Sequence, residues 1–448
     1  MPVRKSVTRV ERDPLGEVSV PSAALYGVQT KRALDNFQIS RLRVHPALIT
    51  ALAEIKQAAA QANRQTGTLA PELANAITRA AKEVIAGQWQ EEFTLDVFQA
   101  GAGTSYNMNV NEVIANRALE ILGQARGDYT RLHPNDHVNQ SQSTNDTMPT
   151  AMRIAVIRLL RELLPAIQQL RDSFLIKAQE FSAVIKSGRT HLHDATSMTL
   201  GQEFAGYAGN VSRPLLYLQN IEGLLLEVPL GGTAIGTGVN THPDYARLVV
   251  EQLSKITALP LREASDRIQA QQSLSDFLAL SSVLRGFAVE LSKIANDLRL
   301  LSSGPHTGLD EIELPAVQPG SSIMPGKVNP VMAEMMNMVC FHIIGHDTAI
   351  MMCAQAGQLE LNVMMPYVAY ALLESLAVLK NAVESFEEKC IRGIRAHPDR
   401  CLEYAERSVG QAARLNEQLG FMGAAEVAQQ AIETGKSIDT LMQERRQT

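Results

Sequence analysis

The sequence predicts a mostly α-helical protein organised around a long central helical bundle. Three observations carry this expectation. Aromatic residues are only 5% of the chain, while 45% is hydrophobic and concentrated in Leu, Ala, Ile, Val and 16 Met. Side chains of that kind favour helix packing over sandwich or barrel strands. Apolar residues also recur at helical spacing over stretches longer than the globular norm. Finally, the polar loops that punctuate these stretches are few and rich in Gly, Ser, Thr and Asn.

Taken in order, residues 1–45 read as an irregular lead-in with Pro14, Gly16, Pro21 and Gly27. Helical spacing runs from Pro46 to Gln65, from Pro71 to Gln88, and from Asn107 to Leu122 after the bend Gly101-Ala102-Gly103. A long amphipathic stretch over 150–187 is expected to break near Pro165, followed by a Thr/His-rich loop at 188–198. Helix returns over Leu200–Leu226, then after a Gly-rich turn at 229–240 over 243–257 and 263–302, the last as one continuous element. A Pro/Gly loop covers 304–330, and helical pattern resumes from Val331 to about 392, interrupted at Gly345, Gly357 and Pro366. Shorter, more polar helices fill the last fifty residues. Strict heptads are not sustained, so a bundle is favoured over a coiled coil. Helices apolar on more than one stripe, such as Leu274–Ile294, need more neighbours than one chain provides, which predicts a homo-oligomer.

Length and charge narrow the function classes. A chain of 448 residues exceeds one core and implies two or three sub-domains. Its 41 Lys+Arg against 47 Asp+Glu leave a net charge of −6, with no basic excess for nucleic acid. The opening segment Met1-Pro2-Val3-Arg4-Lys5 has no apolar run behind it, and charged or amide residues interrupt every candidate membrane span. A soluble cytoplasmic protein is expected. Cys340, Cys353, Cys390 and Cys401 lack metal or redox spacing and read as buried reduced thiols. His133 and His137 have helical ligand spacing, but Pro134 disfavours a regular helix there, and His191 and His193 have no acidic or thiolate cluster beyond Asp194 to complete a metal site; His137 and His193 are read as loop hydrogen-bonding groups.

Four loops carry chemistry: Gly101-Ala102-Gly103-Thr104-Ser105 with Asn107-Met108-Asn109; Ser141-Gln142-Ser143-Thr144-Asn145-Asp146; Gly188-Arg189-Thr190-His191; and Gly320 through Pro330. They supply hydroxyls, amides, backbone N–H groups, one His and one Lys but few carboxylates, a donor set suited to a small anionic substrate. The last loop is not a phosphate loop, because five residues separate Gly320 from Gly326 and Val328 stands where a hydroxyl is needed. No Gly-x-Gly-x-x-Gly follows a strand either, so a dinucleotide-binding half is not indicated.

Gly320-Ser-Ser-Ile-Met-Pro-Gly-Lys-Val-Asn-Pro330 resembles the signature of the aspartase/fumarase superfamily of lyases, and the other three blocks resemble that family's blocks in the same order. The resemblance extends over nearly the whole chain. It implies a three-part fold, with an N-terminal domain over 1–142, a central helical-bundle domain over 143–397 carrying the signature loop, and a small, shortened C-terminal domain over 398–448. It implies a homotetramer with active sites shared between subunits, a small dicarboxylate substrate, no cofactor, no metal, and an elimination yielding fumarate. Carried over residue by residue, Ser321 is the base that removes the Cβ proton. Thr104, Ser143, Thr144 and Ser322 hold the carboxylate beside that carbon. Thr190, Lys327 and Asn329 hold the other carboxylate, and Asn145 and His191 lie near the leaving group. Gly320, Met324 and Gly326 belong to a lid over 305–330.

The physical logic agrees. Proton removal beside a carboxylate creates an enediolate, which preorganised donors must stabilise, and a serine base needs N–H groups and a cation to exist as an alkoxide. Thr144, Ala102, Asn296–Gly304 and Ala356–Val363 lean towards the members that release ammonia from L-aspartate; His133–Asp136, Asp194–Thr196 and Gly201–Tyr207 lean towards the class II hydratases, the alternative reading. A non-catalytic helical scaffold is a remote third. The sequence departs from the family at His193, where Gln is usual, at Leu415–Gly420, and in stopping soon after Asp439.

Overall fold

The computed structural model describes residues 7–447; the basic opening segment Met1–Lys5 lies outside them. The chain is mostly α-helical. It begins with an antiparallel hairpin, β1 (Thr8–Asp13) and β2 (Gly16–Pro21), followed by α1 (Val28–Asn36). From Thr8 on, the expected irregular lead-in thus contains a hairpin and a helix. Its strand was illegible because the pattern is inverted: Val10 is exposed whereas Glu11 is buried. Glu11 Oε2 accepts from Val28 N (2.8 Å), and Glu112 accepts from Gly27 N, Gln29 N and Thr30 N, so two carboxylates take the orphan N–H groups that begin α1. Only glycine fits at Gly27, where a Cβ would stand 2.6 Å from Glu11 Oε2.

Helices α2 (Pro46–Gln65), α3 (Pro71–Ile85) and α4 (Thr104–Ile121) follow, the first two opened by proline at the position where a missing N–H costs nothing. Next comes α5 (Thr144–Glu180), which continues through Pro165 rather than breaking there. The expected loop at 188–198 is a second hairpin, β3 (Ile185–Thr190) and β4 (His193–Thr199). After α6 (Leu200–Leu225), the two-residue strands β5 (Glu227–Val228) and β6 (Arg262–Glu263) pair in parallel around α7 (Tyr245–Thr257). The helix expected over 263–302 is two, α8 (Arg267–Gln272) and α9 (Ser275–Leu301). Asp266 caps the first through Ile268 N and Gln269 N, and Ser273 turns to extended backbone between them. Short strand β7 (Ile312–Glu313) precedes α10 (Val331–Gln355), which passes through Gly345, and α11 (Met365–Lys389). The chain ends with β8 (Arg395–Ala396), paired antiparallel to β7, and helices α12 (Pro398–Arg407), α13 (Asn416–Thr434) and α14 (Ile438–Gln447). No helix among the described residues is long and apolar enough to cross a membrane.

Two compact units result. The first comprises Met1–Leu163, Tyr217–Leu284 and Ile343–Val378; the second comprises Leu164–Leu216, Arg285–His342 and Leu379–Thr448. In the first, α2 is buried almost all round, with Leu48, Ala51, Leu52, Ile55, Ala58, Ala59 and Ala62 in contact with α3, α4 and α7. Its run of alanines lets three neighbours approach closely. In the second, Phe174, Phe181, Phe204 and Tyr207 form an aromatic cluster with ring centroids 5.2–6.2 Å apart. The Tyr207 hydroxyl donates to Asp297 (3.0 Å), which satisfies its polar end. All four cysteines are free thiols, three of them buried, and burial pushes Cys340, Cys390 and Cys401 up to about 12. Replacing Phe204, which touches three of these rings and is fully buried, by Ala is expected to cost about 3–5 kcal/mol. The urea midpoint of Phe204→Ala measures this, and an unchanged midpoint would show the cluster to be loosely packed.

Candidate active site

In the first unit, two polar loops end at helix N-termini. The bend at Gly101-Ala102-Gly103 has positive φ at Ala102 (61°) and Gly103 (86°), and Ala102 N donates to Val363 O at 2.8 Å. A Cβ on Gly103 would meet Met148 Sδ at 2.7 Å, and one on Gly101 would meet Val363 Cβ at 2.8 Å. This close approach delivers Thr104, exposed, as the first residue of α4. The second loop turns at Ser141 (φ 63°) and opens α5 with a reciprocal cap. Ser143 Oγ accepts from Asn145 N (3.2 Å), and Asp146 Oδ1 accepts from Ser143 N (2.9 Å). Thr104, Ser143 and Thr144 therefore stand at helix starts, where the helix dipole favours an anion.

Below these hydroxyls lies a polar layer. Asp146 is fully buried, and its Oδ2 accepts from Gly231 N (3.1 Å) and Thr233 N (3.0 Å), fastening the turn at 231–240 to α5. Asn145 Nδ2 donates to Ala234 O in the same turn (2.8 Å). Lys56, from the middle of α2, is also fully buried and donates to Asn107 Oδ1 (2.6 Å), Asn139 Oδ1 (3.0 Å) and Gln142 Oε1 (2.9 Å). Asn107 Nδ2 in turn donates to Thr144 Oγ1 at 3.0 Å. Burial lowers the Lys56 ammonium to about 7 against the attraction of the Asp146 charge. Three amide oxygens around Nζ each require a hydrogen, which only the ammonium form supplies.

The second unit holds the remaining predicted residues. The β3–β4 hairpin turns at His191 (φ 53°) and Leu192 (φ 63°), both left-handed as a two-residue hairpin turn requires, so Thr190 and His191 sit exposed at its tip. Its root is fixed by a buried ion cluster. Arg189 donates from Nη1 to both oxygens of fully buried Glu311 and from Nη2 to Oε1, each at 3.0 Å, and Lys186 Nζ lies 3.3 Å from Oε2. Glu311 heads β7 and the segment leading to the signature loop, so one carboxylate secures both hairpin and loop base. Farther along the hairpin, Asp194 accepts from Val409 N and Ala195 O accepts from Ser408 Oγ.

The signature loop closes on itself. Gly320 N donates to Lys327 O (2.8 Å) and Asn329 Nδ2 to Gly320 O (2.7 Å); a Cβ at Gly320 would fall 2.7 Å from Asn329 N. Within this ring Ser321 Oγ accepts two backbone N–H bonds, from Ile323 (3.1 Å) and Met324 (2.9 Å). Ser322, Met324, Gly326 and Lys327 are exposed. A cleft of about 600 Å³ beside the loop is lined by Gly304, Asp310, Lys327, Asn329 and His397. His133 and His137 hydrogen-bond within their own turn: His137 Nδ1 accepts from His133 N (2.8 Å), and His133 Nδ1 from Asn135 N (3.1 Å).

Known proteins carry the same plan. A family model described as Lyase matches residues 16–345. Aspartate ammonia-lyase from Bacillus sp is 48% identical over 433 residues, covering 97% of this chain and 92% of that protein. The enzyme of that name from Escherichia coli K12 is 47% identical, covering 98% and 92%. Among solved structures, fumarate lyase:delta crystallin from Brucella melitensis bound to cobalt superposes with a TM-score of 0.94 at 47% identity, covering 98% of this chain and 96% of that one. A recombinant class II fumarase from Schistosoma mansoni also reaches 0.94, at 36% identity with 96% and 94% covered. The class defined by these likenesses is a mostly helical lyase that eliminates across a carbon–heteroatom bond. Within that class, the chain belongs to the aspartase/fumarase superfamily.

Lys56, Asn139 and the turn at 231–240 are the supporting groups that sequence reasoning did not place at the site, and Asp146 stood in the second loop without a role. Asp146 gives a pH-dependent test. Burial pushes its carboxyl up to about 6, against the pull of its three N–H donors, whereas the unfolded chain releases that proton near pH 4. Between those values the folded state holds the extra proton, so Asp146 makes stability fall as pH rises, by roughly 2–3 kcal/mol. Urea midpoints measured from pH 4 to 6.5 are expected to lose that part of the slope in Asp146→Asn. Identical slopes in both proteins would place the proton elsewhere.

Proposed function

We propose that this protein catalyses the reversible deamination of L-aspartate to fumarate and ammonia, as a cytoplasmic homotetramer whose active sites are shared between subunits. The observation that carries this is the pair of N–H donors on Ser321 Oγ inside the signature loop. They are what a serine needs in order to act as an alkoxide base, and Lys327 in the same ring adds positive charge. The identity of about 48% to aspartate ammonia-lyases, over 97% of the chain, supports ammonia rather than water as the leaving group.

In this reading Ser321 Oγ takes the Cβ proton, and the C–H electron pair moves into the adjacent carboxylate to form an enediolate. Thr104, Ser143, Thr144 and Ser322 donate to its oxygens, and helix starts add their partial positive charge. Thr190, Lys327 and Asn329 hold the other carboxylate. The enediolate electrons then form the C=C bond as the C–N bond breaks beside Asn145 and His191. Gly320, Met324 and Gly326 lie in the lid over the bound substrate.

Support for the tetramer comes from α10, which carries large apolar side chains on its exposed side as well as its buried one. Met336, Cys340, Ile343 and Ile350 are buried, yet Met338 (64%), Phe341 (61%) and Met352 (52%) are exposed. Such a helix calls for neighbours from other chains.

Ser321→Ala is expected to keep the fold and lower kcat roughly 10²–10⁴-fold, followed by fumarate absorbance with L-aspartate. Near-normal turnover would remove serine from the base role. Fumarate formed from L-malate but not from L-aspartate would instead assign the hydratase reaction. Separately, Phe341→Glu should shift the mass in light scattering from four chains to smaller species; an intact tetramer would move the interface off this helix.

A further inference from the structure

The buried layer beneath the α5 hydroxyls has a directionality that its function must explain. An asparagine side chain can turn either its oxygen or its nitrogen towards a partner, and the surroundings decide which. Lys56 removes that freedom. Its ammonium has donors only, and it draws the oxygens of Asn107, Asn139 and Gln142 to itself. The Asn139 oxygen further accepts from Asn107 Nδ2 and Asn111 Nδ2, both at 3.1 Å. With its oxygen committed to Lys56 and also accepting from Thr147 Oγ1 (3.3 Å), Asn107 can offer Thr144 only an N–H. One lone pair of the Thr144 hydroxyl is thereby occupied, and its hydrogen is directed away from Asn107.

We propose that Lys56 is a positioning residue that sets the polarity of the Asn107–Thr144 hydrogen bond, so that Thr144 presents its O–H to the substrate carboxylate. The proposal rests on the placement of Thr144 at that carboxylate given above. A hydroxyl is ambivalent, and a carboxylate, which has acceptors only, binds where hydroxyls are made to donate. A fully buried ammonium among neutral amides costs desolvation; spread over three amides, its charge imposes one hydrogen-bond direction on the layer without itself reaching substrate. This also accounts for a lysine within the alanine-rich core of α2, where an apolar residue would otherwise pack.

The test compares Asn107→Asp, Lys56→Met, Thr144→Val and the double variant Asn107→Asp/Thr144→Val, with L-aspartate as substrate and succinate as competing dicarboxylate. Asn107→Asp leaves Lys56 an acceptor but takes the N–H from Thr144, whose hydrogen then turns onto the new carboxylate. It is expected to lower kcat/KM and weaken succinate roughly ten- to hundredfold, the worth of one hydrogen bond to a charged group. Thr144→Val should lose a similar factor, and the double variant should be no worse than either single, because both remove the same donated hydrogen. Lys56→Met, of similar length, should follow the same pattern if it assembles; if it does not, Asn107→Asp alone decides. Full additivity in the double variant, or normal succinate affinity in Asn107→Asp, overturns the relay. An unimpaired Thr144→Val protein would overturn the placement of Thr144 itself.

Discussion

Two buried carboxylates fix the positions of the chemical groups in the two units, and each works by collecting several donors from separate stretches of chain at once. Asp146 takes the N–H groups of Ser143, Gly231 and Thr233, so one side chain caps α5 and holds the 231–240 turn against it. Glu311 takes the guanidinium of Arg189 and the ammonium of Lys186, which joins the root of the His191 hairpin to the base of the signature loop. Neither carboxylate is among the residues proposed to touch substrate. Each makes irregular backbone as fixed as helix, because a buried ion that lost its partners would cost several kcal/mol. The hydroxyls and the imidazole can then sit on loops without the looseness of loops.

This arrangement is suited to holding the proposed dicarboxylate substrate on an acidic chain. The net charge is −6, and the predicted carboxylate-binding set is mainly hydroxyls and amides with one lysine. The positive potential comes instead from oriented dipoles: the starts of α4 and α5, and the N–H pair on Ser321. Dipoles fixed by folding need no reorganisation as charge shifts from carbon to carboxylate oxygen, which is where an elimination of this type needs help.

Much of this was legible in the sequence. The long helices announced themselves through apolar periodicity, and the signature loop through a run of eleven residues that resembles the family signature. What escaped did so for identifiable reasons. The first hairpin buries Glu11 and exposes Val10, so its alternation points the wrong way. The second turns at His191 and Leu192, which carry none of the Asn-Gly or Gly-Gly signals of such turns. Pro165 does not end α5, and α8 and α9 separate at Ser273, a residue with no strong breaking tendency. Lys56 was invisible because a charged residue in a helical run reads as solvated surface until its partners, more than fifty residues away, are brought beside it.

The self-closed neck of the signature loop bears on how the reacting groups come together. Gly320 is bonded to both Lys327 and Asn329, so the stretch between them is a small ring rather than a strap. Ser321, the two N–H groups that polarise it, and Lys327 all belong to that ring. Its swing from residues outside the neck would leave their mutual distances unchanged. The proposed base and its electrostatic support would thus arrive at substrate as prefabricated hardware, and solvent would have to be excluded only once, around a part already finished.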